Sequence, residues 1–369
     1  MHQVNRFRRY VLPGLAFKAV VIGGGYATGR EIVTFFLPSG AIGGLYGLLI
    51  TTAIWSAICA VTFAFALHTR TADYRSFFLA LLGPFWRIYE IAYFLALLVL
   101  LAVFAAAAGA IVEAVLAWPS IVGTILLMGL IALFAAYGND SVERLFKYVS
   151  FLLYGTYGLF VALSFANFGD RITNAFAHGT VTGHWAGGGI TYAGYNIIGA
   201  IVILPVTRHL LCRKDALIAG LIAGPLAAFP AILFFICMSA YATAIRGEVL
   251  PSDFLLERLD FPAFRLLFQL MVFAALLESG TGGVHAINQR IAHAYQASRG
   301  REMSRFLRTG ITIALLFVAV FVAGQFGLVA LIANGYRWLA YTFLLIYVLP
   351  IMTLGVWRLV RSNRLATDD

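Results

Sequence analysis

Long apolar runs recur from one end of this chain to the other, and nothing else limits its possible folds as strongly. Each run can cross about 30 Å of hydrocarbon, which takes about 20 helical residues. Lipid offers the backbone no hydrogen-bond partner, so a crossing segment must be a helix or part of a closed barrel. Barrel strands alternate polar and apolar residues over about 10 positions. These runs do not alternate, so the chain reads as an all-α transmembrane protein of about ten helices. Of 369 residues, 62% are hydrophobic and 11% charged, against roughly 25% charged in a soluble domain; mean hydropathy is +0.90.

The pattern predicts spans at about 10–38, 41–67, 86–113, 120–137, 144–167, 185–207, 215–245, 263–294, 308–325 and 336–358. The longest polar stretches, about 168–184 and 246–262, are too short for a soluble domain, so one transmembrane domain is expected. Cytoplasmic loops collect Lys and Arg. With the N-terminus inside, nineteen of the 26 basic residues fall in inner segments, Arg75, Arg87 and Arg290 among them. Five fall outside (Arg171, Arg246, Arg258, Arg265 and Arg337), and Lys18 and Arg30 lie within the first span. Both termini are therefore expected in the cytoplasm. The net charge of +10 reads as a topology signal rather than a nucleic-acid-binding surface. Arg6, Arg8 and Arg9 before an apolar run resemble a signal peptide, but no A-x-A cleavage pattern follows, so the run is taken as the first span. Cys59, Cys212 and Cys237 have neither metal-site spacing nor a disulfide framework.

Two spans carry glycine where a helix is weakened by it. The first holds Gly23-Gly24-Gly25-Tyr26-Ala27-Thr28-Gly29, and the sixth holds Gly187-Gly188-Gly189, Gly194 and Gly199 around Tyr195 and Asn196. Each Gly costs about 1 kcal/mol against Ala inside a helix. Five spans separate the two clusters, so they occupy corresponding places in halves of opposite orientation, about 10–167 and 185–358. Interrupted helices so placed point to a transporter binding site, where freed backbone groups replace a solute's or an ion's water. The competing reading is close packing of small residues.

Ten spans with breaks in the first and sixth resemble the amino acid–polyamine–organocation superfamily, with its LeuT-type 5+5 inverted-repeat fold. GGGYATGREIVTFF at 23–36 and TYAGYNIIGA at 191–200 are most similar to the bacterial YkvI-like membrane proteins. The resemblance implies a bacterial inner-membrane location. It also implies substrate contact at Ala27, Thr28 and Gly29, where the superfamily often has Gly-Ser-Gly-Ile-Phe, and Gly25 in the same break is a further substrate candidate. Arg30 and Glu31 depart from that motif and argue against an ordinary zwitterionic amino acid. In the eighth span, Ala275-Leu276-Leu277-Glu278-Ser279 matches the Ala-x-x-Thr-Ser of sodium-coupled relatives, with Glu278 for Thr. The match implies a sodium site at Ala275, Glu278 and Ser279 with Gly23, or a proton on Glu278.

An ionisable side chain at bilayer depth costs a few kcal/mol on insertion scales. Arg30, Glu31 and Glu278 are therefore functional candidates. Arg30 and Glu31 point about 100° apart on a helix and need separate partners. Arg30 is a candidate for a substrate anion and Glu31 for a gate. His285 lies seven residues after Glu278 on the same face, which allows a charge relay. Tyr192, Tyr195 and Asn196 offer hydrogen bonds and an aromatic wall at the sixth-span break. Glu90 and Glu113 sit near the ends of the third span, and Pro205, Pro225 and Pro230 are expected to kink or end helices.

No phosphate loop, HExxH or G-x-S-x-G motif is present, so the chain does not read as an enzyme. No cofactor is expected beyond a coupling sodium ion or proton. The expected partners are a small solute and the bilayer, with oligomeric state open. The expected function is secondary active transport of an amino acid or related amine or carboxylate. A receptor without flux and a passive channel are the other classes that fit.

Overall fold

The structure is a computed structural model that describes residues 6–137 and 139–365. Every regular element among the described residues is helical. The first span is three pieces: α1 (Leu12–Val21), α2 (Gly24–Ala27) and α3 (Arg30–Phe35). There follow α4 (Gly40–Thr69), the short connecting helix α5 (Tyr74–Leu82), α6 (Trp86–Leu116), α7 (Ser120–Tyr137) and α8 (Asn139–Ala177). The second half opens with a sixth span made of α9 (Trp185–Asn196) and α10 (Ile198–Val202). It continues through α11 (Arg213–Ser239), a short connecting helix α12 (Pro251–Arg258), α13 (Pro262–Arg299) and α14 (Arg305–Ala330). The last span joins π-helical turns to α15 (Arg337–Phe343) and α16 (Val356–Leu365).

Six helical stretches among the described residues are long and apolar enough to cross a membrane unaided. One of them, Phe306–Arg361, has 56 residues, enough for two crossings at about 1.5 Å per residue. It turns at Gly327 (φ 69°, ψ 170°), so that α14 packs on α6 and α7 whereas α15 packs on α9. Ser120–Ala135 is apolar but shorter, and the first and sixth spans are interrupted. With these the ten crossings are accounted for, arranged as the all-α 5+5 fold.

Close packing between spans rests on small residues. A Cβ added to Gly224 of α11 would collide with the Ser56 hydroxyl and the Thr52 carbonyl of α4, and one at Gly220 with Ala60 and Cys59. α11 runs through both Pro225 and Pro230. A proline removes the N–H that would bond the carbonyl four residues earlier. For Pro225 that carbonyl is Leu221's, and it accepts the Ser56 hydroxyl at 2.9 Å. Thr51 donates to the Gly189 carbonyl at 2.9 Å and Trp55 Nε1 to the Ala193 carbonyl at 3.2 Å. α4 therefore lends polar side chains to the backbones of both α9 and α11, as lipid depth requires.

The two short connecting helices fall in polar stretches that the apolar pattern passes over. Each has a start signal: Asp73 accepts the Ser76 N–H at 2.9 Å, and Pro251 occupies the first turn of α12. The fifth and eighth spans also extend beyond the expected limits, to Ala177 and Arg299.

Gly224→Ala should lower the thermal unfolding temperature of the detergent-solubilised protein, by an overpacking cost of about 1–3 kcal/mol. The same change at Gly310, where a Cβ meets nothing within 4 Å, should leave it unchanged or raise it.

Candidate functional site

The glycine cluster of the first span breaks the helix twice. Ile22 leaves helical backbone (φ −86°, ψ 73°), and Gly23 is extended (φ −97°, ψ −175°). One turn later Gly29 is left-handed (φ 77°, ψ −7°), a conformation that glycine adopts without a Cβ penalty. Thr28 bridges the second break. Its hydroxyl donates to the Gly25 carbonyl at 2.7 Å and accepts the Arg30 N–H at 3.3 Å. Its own carbonyl accepts the Ser252 N–H of α12 at 3.0 Å. Tyr26, in the turn between the breaks, has its hydroxyl 2.9 Å from that of Tyr157 on α8. Tyr157 in turn donates to the Pro230 carbonyl at 2.9 Å.

The sixth span is interrupted more slightly than its glycines suggest. Only Ile197 separates α9 from α10, with near-helical dihedrals (φ −64°, ψ −18°). The span then ends at Ile203 in a 3-10 turn, Leu204–His209, that contains Pro205. Of its glycines, Gly187 faces open space and Gly188, Gly189, Gly194 and Gly199 serve contacts instead. Gly188 and Gly189 lie against the Phe35 and Gly47 carbonyls, and a Cβ on Gly194 would stand 3.1 Å from that of Ala340.

Between the first, third, sixth, eighth and last spans lies a cavity of about 420 Å³. Leu97, Leu100, Leu101 and Phe104 of α6 form an apolar wall. Gly23, Gly25, Tyr26 and Glu31 face it from the first span, Tyr195 and Asn196 from the sixth, and Glu278 and Ser279 from the eighth. Two clusters stand out within the lining. A Cβ on Gly25 would stand 2.9 Å from Glu31 Oε1 and 3.4 Å from the Tyr336 hydroxyl, while Tyr195 donates its hydroxyl to Glu31 Oε2. A Cβ on Gly23 would stand 3.3 Å from the Ser279 hydroxyl, beside Glu278. Neither Glu31 nor Glu278 forms an ion pair with a described residue. Among the described residues no three His, Cys, Asp or Glu side chains are grouped to hold a metal ion.

The remaining candidates lie off the cavity lining. Ala27, Thr28 and Gly29 are buried behind the turn, and Ala275 and Tyr192 are buried in neighbouring packing. Arg30 turns away from the cavity, donating to the Arg246 and Glu248 carbonyls at 2.9 and 2.7 Å. Arg246 in turn donates to the Leu37 carbonyl at 3.0 Å. His285 is 2.9 Å from Gln289 on its own helix and is not part of the lining. Tyr336 is a cavity residue that sequence reasoning missed. It is one tyrosine among 17, and only the tertiary fold carries it to Glu31.

At one end the cavity meets a second one of about 900 Å³, the two sharing Tyr93, Val202 and Ala286. Asp73, Arg75, Arg87, Glu90 and Arg290 are the charged residues of this vestibule's lining. Arg290 lies over the Tyr74 and Tyr93 rings, 3.8 and 3.6 Å from their centroids. Behind the cavity-facing side of the first span, the 246–253 stretch is bound to Thr28 through Ser252 and to Arg30 through the Arg246 and Glu248 carbonyls. Asp253 binds that stretch to α13, accepting from Arg265 at 2.8 and 2.5 Å and from Gln269 at 2.8 Å.

Over 335 residues the chain is 22% identical to the uncharacterised membrane protein YkvI of Bacillus subtilis, across 89% of this chain and 91% of YkvI. It is a distant relative of YkvI with the LeuT-type fold. Among solved structures it is similar to MhsT in complex with L-phenylalanine, with TM-score 0.62, 16% identity and coverage of 94% of this chain and 87% of that one. It is also similar to a mutant of the manganese transporter of Eremococcus coleocola, with TM-score 0.53, 14% identity and coverage of 94% and 78%. Both likenesses concern the fold. The sequence matches no family profile.

Removing the Arg30 clasp should loosen the 246–253 stretch. In a Cys212→Ser background, a cysteine at the buried position Ser252 should react slowly with a membrane-impermeant maleimide. Adding Arg30→Ala should speed labelling about tenfold, since a hydrogen bond from a charged group contributes about 1.5–3 kcal/mol. Equal labelling rates in both proteins would show that Arg30 does not hold the stretch down.

Proposed function

We propose that this chain is a secondary transporter that moves a small organic solute by alternating access through the cavity at the broken first span. The observation that carries the reading is the double break at Gly23 and Gly29 beside a cavity of about 420 Å³ that meets a vestibule, with the broken span clasped from behind by the 246–253 stretch. A channel would need a polar path through both ends. Here the 246–253 stretch is clasped to the broken first span, by the Ser252 N–H on the Thr28 carbonyl and by the Arg30 guanidinium on the Arg246 and Glu248 carbonyls. The likeness to MhsT and to a manganese transporter supports a carrier over an enzyme.

In this reading both termini are cytoplasmic in a bacterial plasma membrane, and the arginine-lined vestibule opens to the cytoplasm. The structure is then the inward-facing state. The first, second, sixth and seventh spans rock against the third, fourth, eighth and ninth to reach the opposite state. Gly23, Glu278 and Ser279 form the coupling site, for a sodium ion or a proton, and the ion's gradient supplies the energy.

Reconstitution into proteoliposomes tests this. Uptake of a solute identified by thermal shift should follow an imposed sodium or proton gradient. Glu278→Gln should lower the ion-dependent part about tenfold or more, the scale of one lost charged hydrogen bond. Ion dependence unchanged in that variant would remove Glu278 from the mechanism. Binding without flux would identify a receptor, and conductance beyond carrier turnover a channel.

A further inference from the structure

A buried carboxylate with no cation beside it is costly, because removing the charge from water is repaid only by a partner. Glu31 is 4% exposed and lines the cavity. Its neighbour in sequence, Arg30, is spent on the Arg246 and Glu248 carbonyls. Among the described residues no Lys or Arg lines the cavity, and the arginines of the vestibule lie beyond Tyr93. Glu31 has one donor among them, the Tyr195 hydroxyl on Oε2. Oε1 and the Tyr336 hydroxyl both lie beside the Gly25 turn, within 2.9 and 3.4 Å of where a Gly25 Cβ would stand. Tyr336 is 1% exposed, and its hydroxyl has no hydrogen-bond partner among the described residues. Asn196 donates its amide N–H to the Tyr192 carbonyl at 3.1 Å, leaving its oxygen as an acceptor in the same lining.

We infer that the solute is a small organic amine, bound as its ammonium ion by Glu31 Oε1 and the Tyr336 hydroxyl, with an apolar body against Leu97, Leu101 and Phe104. This deepens the transport reading and rests on it. An ammonium brings the positive charge that Glu31 lacks and three N–H donors for a set of acceptors. A carboxylate brings a further negative charge to a lining that already holds Glu31 and Glu278 and offers no cation among the described residues. The cavity therefore discriminates by charge: amine first, zwitterion second, anion last.

The test uses the purified full chain in detergent and two matched series. One is phenethylamine, L-phenylalanine and 3-phenylpropionate, and the other is isopentylamine, L-leucine and 4-methylpentanoate. Melting temperature is followed against concentration. Each amine should half-saturate at a concentration at least about tenfold below that of its carboxylate partner, a difference of about 1.4 kcal/mol. Glu31→Gln should weaken amine binding about tenfold or more, and Tyr336→Phe by about threefold to tenfold. Glu113→Gln, on a different cavity, should bind as the unmodified protein does. Should Glu31→Gln fail to fold, Glu31→Asp and Tyr336→Phe decide the matter by the same readout. A carboxylate that binds as well as its amine, no shift from any of the six compounds, or amine binding unchanged in the Glu31 and Tyr336 variants would overturn the inference. Amine binding without flux in proteoliposomes would overturn transport and leave the amine site standing. Flux of a neutral or anionic solute that survives Glu31→Gln would do the reverse.

Discussion

A peptide group that leaves its helix inside a membrane must find another partner, and the rest of this structure is arranged around that need at the first span. Gly23 and Gly29 stop the ladder of main-chain hydrogen bonds twice within seven residues. Thr28 closes part of the gap with its own hydroxyl, and Ser252 reaches in from α12 to satisfy the Thr28 carbonyl. The broken segment is thus supported from its far side. On its near side it presents Gly23, Gly25 and Glu31 to a cavity. The economy resembles that of α4, whose Thr51, Trp55 and Ser56 serve carbonyls of α9 and α11.

Charge is divided with similar consistency. Arg30 and Glu31 are consecutive, yet they end in different environments because neighbouring helical residues point about 100° apart. Arg30 joins the connecting stretch and Glu31 joins the cavity. The nearest lining arginines are held in the vestibule rather than beside Glu31, with Arg290 over the rings of Tyr74 and Tyr93. Tyr93 belongs to both cavities, so it stands at the neck between an antechamber that mixes three arginines with Asp73 and Glu90 and a chamber that holds Glu31 and Glu278.

Features governed by local backbone chemistry were legible in the sequence. The run lengths fix ten crossings, and four glycines in seven residues fix the site of the first break. Tertiary encounters were not legible. The glycines of the sixth span look equally suited to unwinding and to packing, and only the proximity of Phe35, Gly47 and Ala340 shows that they pack. Glu31 and Glu278 could be singled out because ionisable residues are conspicuous in an apolar run, and Ser279 through its place in the Ala-x-x-Thr-Ser match. Tyr336 could not, since nothing local separates it from the tyrosines that merely anchor or stack. Arg30 attracted notice for the right physical reason, the cost of a charge at depth, but its partners are carbonyls in a loop more than 200 residues away.

The connecting stretch at 246–253 grips two bodies at once, α3 through Ser252 and Arg30's acceptors, and α13 through Asp253. Its bonds share one short piece of chain, so loosening any of them slackens the others. In the transport reading proposed above, these eight residues tie the broken first span to α13, so movement of either one is felt at the other through the covalent chain between them.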